Sequence, residues 1–371
     1  MSFGIFLLLW TGLNAYVVSR LLSVPLIAHH VPRYALIALV IAIAASYLAA
    51  RLVQRYRIGR LPYWVECVGA QWIGIAFLLF VPFIVLDFAA GFGLFFNASA
   101  GRPRSDALIC GVALVLIALV QARRAPAVTE YEFTLPDLPR AADGTVLLAV
   151  SDLHLGPALG HRWALALADQ LAALRPDLLL LIGDIFEDEA ASYAGWLPVL
   201  QRLQAPHGVF MVTGNHERYA GGEKVLELMQ RAGFCLLRDR SAEPIPGLVI
   251  CGAEDAAFRP RGRLHHARAV TRLLAERPAG ATVLLSHRPV ATELAAHAGV
   301  RLMVCGHTHD GQIWPFNYVA RLAFRLMAGC YDIAGMPVIV GRGTGVWGPR
   351  MRLWRRGEIL RITLRCASSA A

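Results

Sequence analysis

Along the first third of the chain the apolar positions do not alternate; they run on. Phe3 to Leu22, Tyr34 to Ala50, Trp64 to Leu86 and Ala107 to Val120 are near-continuous apolar stretches, and the third resumes beyond Asp87 as far as Phe96. A bilayer-crossing helix needs about 20 such residues, with a range of roughly 17–25. The first three stretches meet that length, and the fourth does with its flanks. Four in succession predict an all-α transmembrane region of about four helices over residues 1–124, not a pair of helices buried in a soluble core. Val128 to Leu135 then alternates like a strand, but Pro126, Pro136, Pro139 and the turn Asp143-Gly144 surround it, so residues 125–144 read as a linker. Over 145–371 the pattern becomes short β runs interleaved with amphipathic helices. Strands are expected at Thr145–Val150, Asp177–Ile182, Gly208–Thr213, Leu248–Cys251, Thr282–Leu285, Arg301–Val304, Pro337–Val340 and Ile359–Leu364, with a helix at Arg162–Leu174. Such alternation predicts a layered α/β domain.

Composition agrees with a chain partly in lipid: 56% of the 371 residues are hydrophobic. The net charge of +10 is carried almost wholly by arginine, Lys224 being the single lysine. No nucleic-acid-binding motif or basic tail accompanies it, so nucleic acid is not an expected partner and a lipid bilayer is. The loop between the second and third stretches carries Arg51, Arg55, Arg57 and Arg60, and Arg123 and Arg124 follow the fourth. The opposite side receives Arg20, Arg33, Arg102 and Arg104. The positive-inside rule therefore predicts a multi-pass integral membrane protein with its catalytic domain on the cytoplasmic side. Asp87, near a helix end, is expected at the membrane interface. The seven cysteines show no C-x-x-C spacing, which argues against a disulfide framework and a zinc ribbon.

Chemistry-bearing residues recur at strand ends. Asp152 and His154 follow the first strand of the domain, Gly183-Asp184 the second and Gly214-Asn215-His216-Glu217 the third. Ser286-His287 and Gly306-His307-Thr308-His309 follow two later ones. In open α/β sheets the carboxyl ends of the strands form the ligand-binding edge, so five distant segments should converge. The expected ligands are Asp152, His154, Asp184, Asn215, His287, His307 and His309. Imidazole with carboxylate and no thiolate suits Mn, Fe or Zn. Seven ligands exceed one tetrahedral ion but fit two divalent ions sharing a carboxylate, for which Asp184 on its Gly-Asp turn is the natural bridge. Ions about 3.5–4 Å apart lower the pKa of a bridging water and clamp phosphoryl oxygens. His216, one residue after Asn215, should face substrate and either stabilise the transition state or protonate the leaving oxygen.

Ser151-Asp152-Leu153-His154, Gly183-Asp184, Gly214-Asn215-His216-Glu217, Ser286-His287 and Gly306-His307-Thr308-His309 resemble the calcineurin-like metallophosphoesterases. Leu155-Gly156-Pro157, Gly311-Gln312-Ile313, Gly343-Thr344-Gly345 and Trp347-Gly348 are similar to the branch with several N-terminal transmembrane helices. The resemblance implies a four-layer αββα sandwich. It implies one ion held by Asp152, His154, Asp184 and His309, a second held by Asp184, Asn215, His287 and His307, and His216 as catalytic histidine. Two positions depart from the pattern. Glu187, with Asp188 beside it, stands where the family often has Asp, and Asp310 stands where the branch usually has a small residue.

The expected function is hydrolysis of a phosphate mono- or diester by a metal-bridging hydroxide, on a phosphate-containing small molecule or a lipid-linked substrate. The alternative is a catalytically silent metal-binding sensor or membrane scaffold. A basic stretch, Arg259 to Arg268, is a candidate for steering anions. Phe316 to Met327, apolar with Arg321 and Arg325 interleaved, reads either as core or as an interfacial helix.

Overall fold

The computed structural model describes residues 3–54, 61–93, 102–156, 159–187, 193–259 and 262–367. Arg55, Arg57 and Arg60 of the expected cytoplasmic loop lie outside the described residues, as do Phe96, Pro157, Asp188 and Arg261. The chain divides into two compact units: Met1–Arg124 with Gly348–Arg355, and Ala125–Trp347 with Arg356–Ala371.

The first unit is helical: α1 Phe3–Leu21, α2 Pro25–His30, α3 Arg33–Gln54, α4 Leu61–Ala89 and α5 Arg102–Gln121. Among the described residues, four of these helices, α1, α3, α4 and α5, are long and apolar enough to cross a membrane. Val17, Leu21, Leu79, Phe83 and Ala107 pack their interior, while Leu8, Ile41, Ile109 and Leu116 point outward. Lipid, being as apolar as leucine, accepts such an exterior. Asp87 stands two residues before the end of α4, as expected, and its side chain is buried among the helices, 2% exposed. Its carboxylate accepts from Tyr16 Oη at 2.5 Å and Arg20 Nε at 2.7 Å, and pairs with Arg104 Nη2 at 2.6 Å. An unpaired carboxylate there would be costly, so these partners account for its burial. The segment Gly348–Arg355 belongs to this unit through the Arg352 amide, which donates to the Ala118 carbonyl at 3.1 Å.

The second unit stacks two six-stranded sheets among the described residues. The strands are β1 Ala127–Leu135, β2 Val146–Val150, β3 Leu178–Ile182, β4 Val209–Val212, β5 Cys235–Leu236, β6 Arg240–Ile245, β7 Leu248–Ala253, β8 Ala281–Ser286, β9 Leu302–Cys305, β10 Gly329–Ile333, β11 Met336–Val340 and β12 Glu358–Cys366. The orders are β1-β12-β2-β3-β4-β5 and β10-β11-β9-β8-β7-β6. Because strand side chains alternate between faces, each strand feeds two cores. Leu147 and Ala149 face inward to meet Ile250, Leu285 and Val304 of the other sheet. Leu148 and Val150 face outward onto Leu167 and Leu171 of helix α6, His161–Ala173. On the far side, Val249, Leu284 and Met303 pack on Val270 and Leu273 from helix Gly262–Glu276. Helix, sheet, sheet, helix is the expected αββα sandwich.

The linker assignment needs correction. Within residues 125–144, β1 pairs in parallel with β12 from Ala127↔Glu358 to Leu135↔Cys366. The prolines at 126, 136 and 139 stop the strand at its ends and do not interrupt it; they are tolerated because β1 is an edge strand. The catalytic unit therefore starts at Ala125, not Thr145.

Candidate metal centre

Each polar motif starts where a buried strand stops. The parallel trio β2, β3 and β4 and the parallel pair β8 and β9 aim their carboxyl ends at one edge of each sheet, and backbone–side-chain bonds join those edges. The amide of His307, after β9, donates to the Asp152 carboxylate at 3.2 and 3.1 Å. His287 Nδ1, after β8, lies 2.8 Å from the Ile182 carbonyl at the end of β3. With that Nδ1 proton donated, the lone pair of Nε2 is left for a ligand.

Six of the expected ligands fall into two clusters. In the first, Asp152 Oδ1 lies 3.4 Å and His154 Nε2 lies 3.1 Å from His309 Nε2. In the second, His287 Nε2 lies 3.1 Å from both Asp184 Oδ2 and His307 Nδ1. The same Asp184 oxygen is 3.9 Å from His154 Nε2, so one carboxylate reaches both clusters. Asn215 opens the short helix Asn215–Tyr219 and is buried; its Oδ1 receives a hydrogen bond from Arg288 Nη2 at 3.2 Å. His216 packs edge-on against the His154 ring, with centroids 4.6 Å apart.

The backbone records the cost of this convergence. Asp152, His154, Asp184, His307 and His309 all have positive φ, between 46° and 73°. For residues with a Cβ, the left-handed region costs roughly 1–2 kcal/mol each, and such strain persists only where the surroundings enforce it. Two of the motif glycines have a steric reason. A Cβ on Gly214 would collide with the Asp184 carboxylate, and one on Gly306 with Asp152.

The donor set fits a pair of divalent cations. Two imidazole–imidazole pairs bring ring nitrogens to 3.1 Å with carboxylates beside them, which is the chemistry of mixed N/O sites for Mn, Fe or Zn. Electrostatics points the same way. Burial opposes a charge on His154, yet Glu187, Asp184 and Asp152 outweigh it and raise its pKa to about 9. His287 is likewise raised to about 10, against burial, chiefly by Asp184. His307 is pushed down to about 3 by burial and by the charges of His287 and Arg288. The metal-free site thus favours protons on His154 and His287 and keeps His307 neutral.

Three residues not assigned a role from the sequence shape the centre. Glu217 is fully buried, and its carboxylate accepts from the amides of Gly214 at 2.6 Å, Asp184 at 2.9 Å and Ile185 at 2.6 Å. It ties the Gly-Asp and Gly-Asn turns together; burial, then the charge of Asp184, raises its pKa despite those bonds. Glu187 sits between two histidines, its Oε2 2.5 Å from His154 Nδ1 and 3.8 Å from His216 Nδ1, while its carbonyl lies 3.0 Å from His216 Nδ1. Arg288 places its guanidinium between Asn215 and Asp255, with Nε 3.0 Å from Asp255 Oδ2. The sequence signal for Glu187 was its place three residues after Asp184, where the resembled family often has Asp; for Arg288 it was adjacency to His287. The basic stretch from Arg259 is partly committed elsewhere: Arg259 pairs with Asp239, and His266 is buried against the Glu254 carbonyl.

A family model described as calcineurin-like phosphoesterase matches residues 145–311. A "Transmembrane protein with metallophosphoesterase domain" from Bos taurus is 29% identical over 287 residues, covering 72% of this chain and 63% of that protein. Its Danio rerio namesake is 26% identical over 327 residues, covering 82% and 75%. An "Uncharacterized metallophosphoesterase" of Aquifex aeolicus is 30% identical over 240 residues, covering 64% of this chain and 91% of that protein. The chain spans just under two thirds of the bovine relative's length.

Proposed function

The chain belongs to the calcineurin-like metallophosphoesterase family, and from that premise we propose that it is a membrane-anchored, binuclear metal-dependent hydrolase of phosphate mono- or diesters. The observation that carries this reading is the pair of His/Asp clusters that share Asp184. Asp152, His154, Asp184 and His309 would hold one ion; Asp184, Asn215, His287 and His307 would hold the other. When bound, such ions supply a water of lowered pKa and a positive clamp on the phosphoryl oxygens.

The chain's own groups do the rest. Glu187 orients the rings of His154 and His216. His216 has Nδ1 engaged by the Glu187 carbonyl, which leaves Nε2 to pass a proton to the departing ester oxygen. Glu217 holds the two turns in register. His216→Ala should lower turnover of bis(p-nitrophenyl) phosphate in Mn²⁺ by about 10²–10⁴-fold, the usual weight of a general acid. Unchanged turnover in that variant would remove His216 from the reaction.

The anchoring rests on the four apolar helices and the transmembrane relatives. Arginine placement supports a cytoplasmic catalytic unit. Arg20 and Arg104, two of the four arginines on the side away from residue 124, are spent on Asp87. That leaves the basic excess on the side where the catalytic unit begins. A hydrolase held at a bilayer favours a lipid-linked phosphoester as substrate.

A further inference from the structure

The chain just past the metal motif exposes apolar and aromatic side chains where a water-soluble domain would bury them. Helix Phe316–Ala320 and the turn after it leave Phe316 43%, Tyr318 56%, Val319 53% and Leu322 89% exposed. Contiguous exposed apolar surface of this kind marks an interaction site. Phe316 to Met327 contains no acidic residue. Of its two arginines, Arg321 sits within the patch, over the Tyr318 ring at 5.7 Å, and Arg325 is largely exposed and paired with Glu293 at 2.9 Å. Aromatic and aliphatic side chains next to arginine are the signature of a segment lying in a membrane interface. The same segment reaches the metal centre, since the Phe324 ring packs edge-on against His307 with centroids 5.5 Å apart.

A second contact holds the neighbouring loop of the catalytic unit. Gln312, three residues after His309, brackets the backbone of Trp347: Nε2 donates to its carbonyl at 2.9 Å and Oε1 accepts from its amide at 2.8 Å. Trp347 is itself half exposed, and the next residue in the chain, Gly348, begins the segment that belongs to the helical unit.

We propose that Phe316, Tyr318, Val319 and Leu322, with Arg321 and Arg325, form a docking surface for an anionic lipid bilayer, seating the mouth of the metal centre at headgroup depth. The occupant is lipid because the four apolar helices hold the chain at a bilayer and the patch pairs apolar surface with cationic surface. Resting on the hydrolase reading above, the consequence for substrate is a phosphoester presented from the headgroup layer.

The test uses the full chain in nanodiscs of phosphatidylcholine and phosphatidylglycerol, with the five accessible cysteines (67, 110, 235, 330 and 366) replaced by serine. A bimane label at Leu322→Cys, and separately at Tyr318→Cys, is expected to lose about half its fluorescence or more when bromine-labelled phosphatidylcholine is used. The same label at the exposed Glu227→Cys should not. Equal, unquenched signals at all three positions overturn the proposal, including the case where a second copy covers the patch. If the cysteine background does not fold, hydrogen exchange over 316–327 of the unaltered chain decides instead. Exchange that slows as phosphatidylglycerol is added supports docking, and unchanged exchange overturns it. Turnover of bis(p-nitrophenyl) phosphate on the same discs separates the two readings. Quenching without turnover sinks the hydrolase alone, and turnover without quenching sinks the docking surface alone.

Discussion

Glu187 touches two histidines through different atoms. Its carboxylate is in contact with His154 Nδ1, and its carbonyl with His216 Nδ1. Glu187→Gln keeps the shape and removes the charge, so it should weaken metal binding or turnover by about 10–100-fold, the usual cost of losing an outer-shell partner; metal titration and initial rates check it. The raised imidazoles make a pH prediction. In the metal-free chain His154 at about 9 and His287 at about 10 stand above the ordinary 6.5. Their charges therefore stabilise the fold fully below about pH 6.5, and that contribution is lost as pH rises through about 9 to 10. Ions compete with those protons, so affinity for Mn²⁺ must rise with pH over the same window. Melts of metal-free protein should show a lower Tm at pH 9.5 than at 6.5, with added Mn²⁺ restoring more at the higher pH. A metal effect that shrinks as pH rises would contradict this. At this scale the sequence told which residue types converge, because His, Asp and Asn after apolar strands have a recognisable chemistry. It did not tell what Glu187, Glu217 or Arg288 touch, because those contacts join segments far apart in the chain.

Strand β1 shows how an element can be seen and misplaced. Val128 to Leu135 alternates as a strand should, but the flanking prolines suggested a connection. Its partner, β12, lies more than two hundred residues away, where local pattern says nothing about pairing. Because β1 closes the outer edge of the first sheet, a catalytic fragment beginning at Thr145 should be less stable or less soluble than one beginning at Ala125. Thermal melts and soluble yield of the two fragments compare them directly, and equal behaviour would make β1 dispensable. The buried central strands were legible as continuous apolar runs. The two-residue β5 and the edge-lying β6 and β10 were not, since short or half-polar strands lack that signature.

For the whole molecule, hydropathy alone separated the long apolar helices from the phosphoesterase domain, because apolar helices of 18 residues or more and alternating α/β segments differ in period and length. Hydropathy could not reveal that Gly348–Arg355 joins the helical unit, nor that Asp87 pairs with Arg20 and Arg104, since both depend on the folded arrangement. The functional claim for the whole chain is that two cations sit around Asp184. The direct measurement is a titration of the metal-free full-length chain with Mn²⁺ while recording bound metal and hydrolysis of bis(p-nitrophenyl) phosphate together. Turnover should appear with bound metal, level off at about two ions per chain, and be lost in Asp184→Asn. Full turnover without metal, a plateau at one ion, or an active Asp184→Asn protein would contradict the account.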